Sequence, residues 1–259
     1  MKFYTYIFLF FFSYTFAQKG LIQYGYIEAL GIGNAKGTDS NAFMVFNKEQ
    51  SYFVTAKDSL ENAFNKSVSK TFENETGGGA IYNGLKVSKE GDQVVYHIAK
   101  KTMWSNILYG EQIYVKELLP VIDWTIGKES KKIGAFNCVK ASTTFRGRKY
   151  IAWFTPDIPV PFGPWKLQGL PGLILEAQDL NKNVFWYFKN GQYPSKTNEI
   201  VRYMTIPKKM NWLSYQEFKK VQQDEIQMRD DKNKIIKKEH PGIIFNLPTL
   251  TEMFLECEK

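Results

Sequence analysis

The chain has 259 residues, 44% of them hydrophobic and 23% charged, which excludes a disordered polymer, and its 19 Gly and 10 Pro are too few for a fibrous repeat. The net charge of +8 comes with no nucleic-acid-binding module. Basic residues gather between Arg202 and Lys238, but there the run Arg229-Asp230-Asp231-Lys232-Asn233-Lys234 mixes signs and reads as a solvated helix end or loop. The aromatic share is 16%, with 20 Phe, 15 Tyr and 6 Trp, and such side chains suit the pleated, half-buried surface of a sheet.

Residues 1–17 read as a secretory signal peptide. Lys2 and the amino terminus supply positive charge, Phe3 begins a nearly unbroken apolar run, and Thr15-Phe16-Ala17 offers a cleavage site. Ser13, Tyr14 and Thr15 break the run well short of the ~20 apolar residues that a membrane span needs. Nothing later is apolar enough to span. The expected product is residues 18–259, one β-rich domain in the periplasm or secreted.

Its elements are predicted in order as short strands between turns. Ile22, Tyr24 and Tyr26 alternate with more polar neighbours. Runs at 42–46 and 51–56 flank Asn47-Lys48-Glu49-Gln50 and suit a hairpin. Further strands are predicted at 93–99, 112–118, 133–145, 149–154, 173–177, 184–188 and 199–205. Two helices are expected: 58–69, and 214–229, which opens on the capping-box pattern Ser214-Tyr215-Gln216-Glu217. The class is therefore mainly β: a curved antiparallel sheet, half-barrel or sandwich, with one or two short helices.

Catalytic signatures are mostly missing. There is no nucleophile elbow, no H-E-x-x-H and no phosphate-cradling loop, and Gly31-Ile32-Gly33 with Gly37 misses the dinucleotide spacing. His97 reads as a strand residue and His240 as a turn residue. They lack metal-ligand spacing with each other or with the two cysteines, so no cofactor or metal is expected. Asp123, Asp157, Glu176 and Asp179 are carboxylates from which a hydrolase pair could be drawn. Asn65-Lys66-Ser67 and Asn74-Glu75-Thr76 match the glycosylation pattern. In an oxidising compartment Cys138 and Cys257 either form a disulfide, worth about 4 to 5 kcal/mol for so long a loop, or remain two thiols.

The distinctive stretch is 156–172, which holds five of the ten prolines. Proline fixes φ and removes amide donors, so this is a stiff connection and not a central strand. Leu170-Pro171-Gly172-Leu173 suits a type II turn with positive φ at Gly172. Two readings are open. The segment is a rigid corner docking apolar side chains on the core, or a rigid rim with Phe162, Trp165 and Leu170 exposed around a ligand groove.

Gly169-Leu170-Pro171-Gly172-Leu173-Ile174 spells the motif of the GLPGLI family, exported proteins found mainly in Bacteroidota, and the chain resembles that family. Asp123-Trp124-Thr125-Ile126, Cys138-Val139-Lys140-Ala141, Arg146-Gly147-Arg148 and Ala152-Trp153-Phe154-Thr155 extend the likeness, with Ala135-Phe136-Asn137 departing from its usual Gly-Tyr. The resemblance runs from about Gly20 to Tyr203 and leaves the tail with Cys257 unmatched. It implies an envelope location but no established activity. The expected function is a non-enzymatic binding or accessory module for a hydrophobic small molecule or an envelope protein. The candidate rim comprises Trp153, Thr155, Pro159, Phe162, Gly163, Pro164, Trp165, Gly169, Leu170, Pro171, Gly172, Leu173 and Ile174. The alternatives are a carboxylate-dependent hydrolase, or a purely structural interaction protein with an exposed aromatic patch.

Overall fold

The computed structural model describes residues 19–28, 30, 39–55, 70–73, 79–82, 91–109, 111–195, 211–240 and 255–258. The signal-like segment, the 31–37 glycines, the expected helix at 58–69, both glycosylation sequons and the strand at 199–205 lie outside these residues.

Fourteen strands are described: β1 (Gly20–Glu28), β2 (Asp39–Phe46), β3 (Gln50–Thr55), β4 (Lys70–Glu73), β5 (Gly79–Tyr82), β6 (Gln93–His97), β7 (Thr102–Tyr109), β8 (Glu111–Leu118), β9 (Thr125–Ile133), β10 (Phe136–Phe145), β11 (Arg148–Thr155), β12 (Leu173–Asp179), β13 (Val184–Gln192) and β14 (Trp212–Leu213). Twelve form one sheet in the order β14-β8-β7-β6-β3-β2-β1-β13-β12-β11-β10-β9, while β4 and β5 pair separately. Every pairing is antiparallel except β14 with β8. The mainly β class is as the alternation predicts, and the β2–β3 hairpin forms where expected. Its turn is fixed by the Asn47 side chain, which accepts from the Glu49 and Gln50 amides at 2.8 Å each.

The sheet is curled, and the chain itself requires this. β8 and β9 are consecutive in sequence, joined by residues 119–124, yet stand ten strand steps apart in the sheet. At ~4.8 Å per step a flat sheet would separate them by roughly 48 Å, whereas the link spans about 25 Å at full stretch. The sheet therefore bends until its ends face each other, without hydrogen bonds closing a barrel.

Three expectations are corrected. The strand expected at 133–145 is the β9–β10 hairpin, which turns at Gly134 in a left-handed conformation (φ +57°). β9 escapes a hydrophobic reading because all but its last residue are exposed, and its Lys128, Lys131 and Lys132 suit a sheet edge. β7 was not anticipated between its neighbours. The helix, α1 (Tyr215–Glu239), starts at the capping box as predicted but continues ten residues beyond 229. No Gly or Pro interrupts it before Pro241, and Lys237 and Lys238 complement its C-terminal dipole. The mixed-charge run thus lies within an exposed helix.

Candidate functional site

The Pro-rich crossing between β11 and β12 fills the concave face of the curled sheet. Ile158, Val160, Phe162, Trp165, Leu167 and Leu170 join one core with residues of β1, β2, β3, β6, β7 and β10 to β13. Phe162 lies against Phe46 and Tyr96, with ring centroids 6.2 and 6.4 Å away. Three residues later Trp165 meets Phe145, Tyr150 and Trp186 across the concavity. Trp165 takes a positive φ of 53°, rare for a bulky residue, and this packing on three sides holds it there.

The exposed rim is therefore corrected: Phe162, Trp165 and Leu170 are buried, because a curled sheet must fill its inner face. Gly163, Pro164, Thr155, Gly172, Leu173 and Ile174 are buried too, Trp153 is half-buried, and Pro159, Gly169 and Pro171 are exposed. The expected turn is also corrected. Gly172 donates its amide to the Leu170 carbonyl at 2.8 Å, a three-residue turn around Pro171. Positive φ falls on Gly169 instead (+95°). Gly172 is needed for space, since a Cβ there would stand 2.2 Å from the Thr155 carbonyl oxygen.

A buried ion cluster ties the crossing to both ends of the sheet. Lys166 Nζ lies 2.6 Å from Glu256 and 3.1 Å from Glu117 of β8. Arg146, at the β10–β11 turn, pairs with Glu117 and approaches Glu256 at 3.5 Å and Glu258 at 3.6 Å. Its guanidinium lies 3.4 Å above the Tyr215 ring. The tail that sequence left unmatched is thus part of the core: Cys257 donates its amide to the Arg146 carbonyl at 2.9 Å, and Gln222 of α1 donates to the Glu256 carbonyl at 3.2 Å. Arg148 pairs separately with Asp179 at 2.5 Å.

Beside this cluster lies a cavity of about 30 Å³, walled by Tyr26, Phe53, Trp165, Trp186 and Leu255 and edged by Thr55, Asp92, Ser105, Asn106, Lys166 and Glu256. Tyr26, Trp186 and Trp165 stack in series, with centroids 5.6 and 5.9 Å apart. Trp186 is fully buried, yet its Nε1–H has no acceptor among the described residues. Asp92 is fastened by its backbone, its carbonyl accepting from the Thr55 amide at 3.0 Å. Its carboxylate has no cationic partner among the described residues. Burial and the nearby Glu28 push Asp92 up to about 7. Burial also raises Glu28, against the opposing effects of the Tyr26 hydroxyl that donates to it and of Arg148.

The carboxylates singled out from sequence are each engaged elsewhere or exposed, although Asp157 and Glu176 both act on the Cys138 thiol. Asp179 is consumed by Arg148 and by the Asn183 and Val184 amides at 2.7 and 3.0 Å. Asp157 is exposed and accepts from the Asn137 amide. Glu176 pairs with Lys131, and Asp123 is exposed. Of the two readings of the cysteines, the structure has the two thiols: Cys138 is buried and Cys257 half-buried, its thiol 3.4 Å from the Arg146 carbonyl oxygen. Burial pushes Cys138 up to about 11. Among the described residues no group of three His, Cys, Asp or Glu is placed to hold a metal ion, and no helix is long and apolar enough to cross a membrane.

Sequence reasoning missed Glu28, Asp92 and Lys166, although each left a signal. Glu28 continues the alternation of Ile22, Tyr24 and Tyr26, and Asp92 is in phase with Val94 and Tyr96 on the core face. Lys166 is a single cation inside an apolar, proline-rich run.

Fold and site together define an open, curled antiparallel sheet plugged by its own crossing. Within it, residues 146–176 match the family described as Protein of unknown function (Porph_ging). Those residues comprise the Arg146 turn, β11, the crossing and the start of β12. No curated protein matches the chain. Among solved structures, one crystal form of PNGF-II is 14% identical over 79% of this chain and 33% of that one, with a TM-score of 0.51. A second form is 15% identical over 76% of this chain and 31% of that one, with a TM-score of 0.48. The chain spans about a third of the length of these structures, and at such identity the likeness concerns fold alone.

Proposed function

We propose that this chain is an exported, non-enzymatic binding module of the GLPGLI type, whose motif builds the plug and whose ligand enters at the strand-end cavity. One observation carries the reading: the cavity is lined by Asp92, whose carboxylate has no cationic partner among the described residues, and by Trp186, whose buried indole N–H has no acceptor among them. Buried polar groups are ordinarily satisfied, so an orphan indole N–H on the lining of a space that also holds a half-buried carboxylate supports a place for a ligand. The space is far below the ~300–1,000 Å³ of ordinary small-molecule sites. Only the small end of a ligand enters, and a hydrophobic remainder would lie outside. Native mass spectrometry of protein recovered gently from its own cell envelope tests this. A bound small molecule that is lost in Asp92→Asn supports it, and protein found bare in the envelope fraction contradicts it.

A second reading finds its support in the same place. Glu28 and Asp92 are neighbouring carboxylates, both raised, and a group poised near neutrality suits acid–base hydrolysis. Turnover of a carbohydrate or ester panel that vanishes in Asp92→Asn would favour it. The interaction-protein alternative wants an exposed aromatic patch. The large exposed apolar side chains among the described residues are Leu118, Val121, Ile126, Leu180, Met228, Ile235 and Ile236, none of them aromatic.

A further inference from the structure

Taking the cavity as the binding site just proposed, we infer that it accepts a small protonated amine bearing a neighbouring hydroxyl or ether oxygen, the ammonium at Asp92 and the oxygen at the Trp186 indole N–H. The charges around the cavity point to a cation. Lys166 and Glu256 pair at 2.6 Å with Glu117 and Arg146 beyond them, so that these charges are countered even though Glu256 Oε2 accepts no hydrogen bond among the described residues. Asp92 has no such counter-charge among the described residues, and the charged group acting on its carboxylate is Glu28, of the same sign. Arg148, the cation that acts on Glu28, is already paired with Asp179. Among the described residues the wall is thus one positive charge short, beside a half-buried carboxylate whose charged form desolvation disfavours.

The indole adds a second requirement that a simple alkylammonium does not meet. Trp186 Nε1–H donates only, and it finds no acceptor among the described residues. An ammonium accepts nothing, so the ligand needs an oxygen as well. Ser105 at the cavity edge offers a hydroxyl acceptor for a remaining ammonium proton, while Thr55 Oγ1 and Asn106 Oδ1 already accept from the Asp92 and Gln93 amides. The stacked rings of Tyr26, Trp186 and Trp165 give the apolar, electron-rich wall on which organic cations settle. The volume of about 30 Å³ holds only a few heavy atoms, the size of an amino-alcohol head.

The probes are ethanolamine, n-propylamine and n-propanol, titrated by calorimetry into the full chain at constant ionic strength. So few atoms give dissociation constants of about a millimolar. At pH 8 ethanolamine should bind at least ~10-fold more tightly than n-propanol and ~3-fold more tightly than n-propylamine. Asp92→Asn should abolish the preference over n-propanol, and Trp186→Phe should abolish only the preference over n-propylamine. In the wild type, lowering the pH to 5.5 should erase the preference for a cation as Asp92 takes a proton in the presence of Glu28, Tyr26, Lys166 and Glu256. That measurement needs no variant to fold. If n-propanol binds as well as ethanolamine, the amine inference fails while the binding site stands. If none of the three binds at pH 8, both fail. Should phosphatidylethanolamine vesicles, but not phosphatidylglycerol vesicles, compete with ethanolamine, a lipid head is the source; competition by neither leaves the free amine.

Discussion

Arg146, the first residue after β10, forms a buried ion pair with Glu117 of β8, although nine hydrogen-bonded strand steps separate those strands in the sheet. Side chains reach across only because the sheet curls, and what lies between them is the chain's own crossing and tail. Lys166 and Glu256 complete the cluster, so that residues 90 positions apart close the structure.

The first prediction concerns that closure. Removing one member of a buried, paired cluster strands the others without a partner, at about 3 to 5 kcal/mol. Lys166→Met should cost about that much by urea denaturation. Lys166→Met combined with Glu256→Gln should cost clearly less than the sum of the single changes. Additive costs would show that the two side chains do not act together.

The motif glycines should separate by mechanism. Gly172→Ala forces a Cβ against the Thr155 carbonyl, and about 3 kcal/mol or more of destabilisation is expected from so rigid a clash. Gly169→Ala meets only Trp124 Nε1 at 4.0 Å, so its cost is that of a positive φ, roughly 1 to 2 kcal/mol. Equal melting temperatures for the two variants would overturn this assignment.

Asp92 gives a pH dependence whose sign is fixed. Its folded-state value of about 7 lies above the ordinary 3.8, so between those values the native state holds more protons than the unfolded chain. Stability contributed at this site therefore falls as pH rises from about 4 to 7 and is flat above. Asp92→Asn removes that penalty. It should be more stable than the wild type at pH 8, with the difference shrinking as pH drops toward 4. A difference that does not change with pH would count against it.

Thiol chemistry offers a direct check on the cysteines. Without reductant, the denatured protein should titrate two thiols. In the native protein Cys257 should react before Cys138, which is fully buried and pushed up to about 11. Finding no free thiol would restore the disulfide.

Much of the sheet was legible because burial follows period two: Ile22, Tyr24 and Tyr26 place β1, and the Asn47 turn places the β2–β3 hairpin. β9 was not, since an edge strand lined with Lys128, Glu129, Lys131 and Lys132 carries no apolar signal. The motif was conspicuous as a string of letters, yet its role was ambiguous. Whether Phe162 and Trp165 face inward depends on the curl of the sheet, and local pattern does not encode curl. The candidate cavity was hidden for the same reason: Glu28, Asp92 and Trp186 are far apart in sequence and come together only when strand ends converge.

The indole region of a proton–nitrogen correlation spectrum tests the central claim most directly, because the chain's 6 tryptophans each give one signal. Trp124 Nε1 already donates to the Gln168 carbonyl at 2.8 Å, whereas Trp186 Nε1 has no acceptor among the described residues. On adding ethanolamine at pH 8, the Trp186 signal should move downfield and saturate while Trp124 stays fixed. A Trp186 signal that does not move as the ligand saturates would contradict the account.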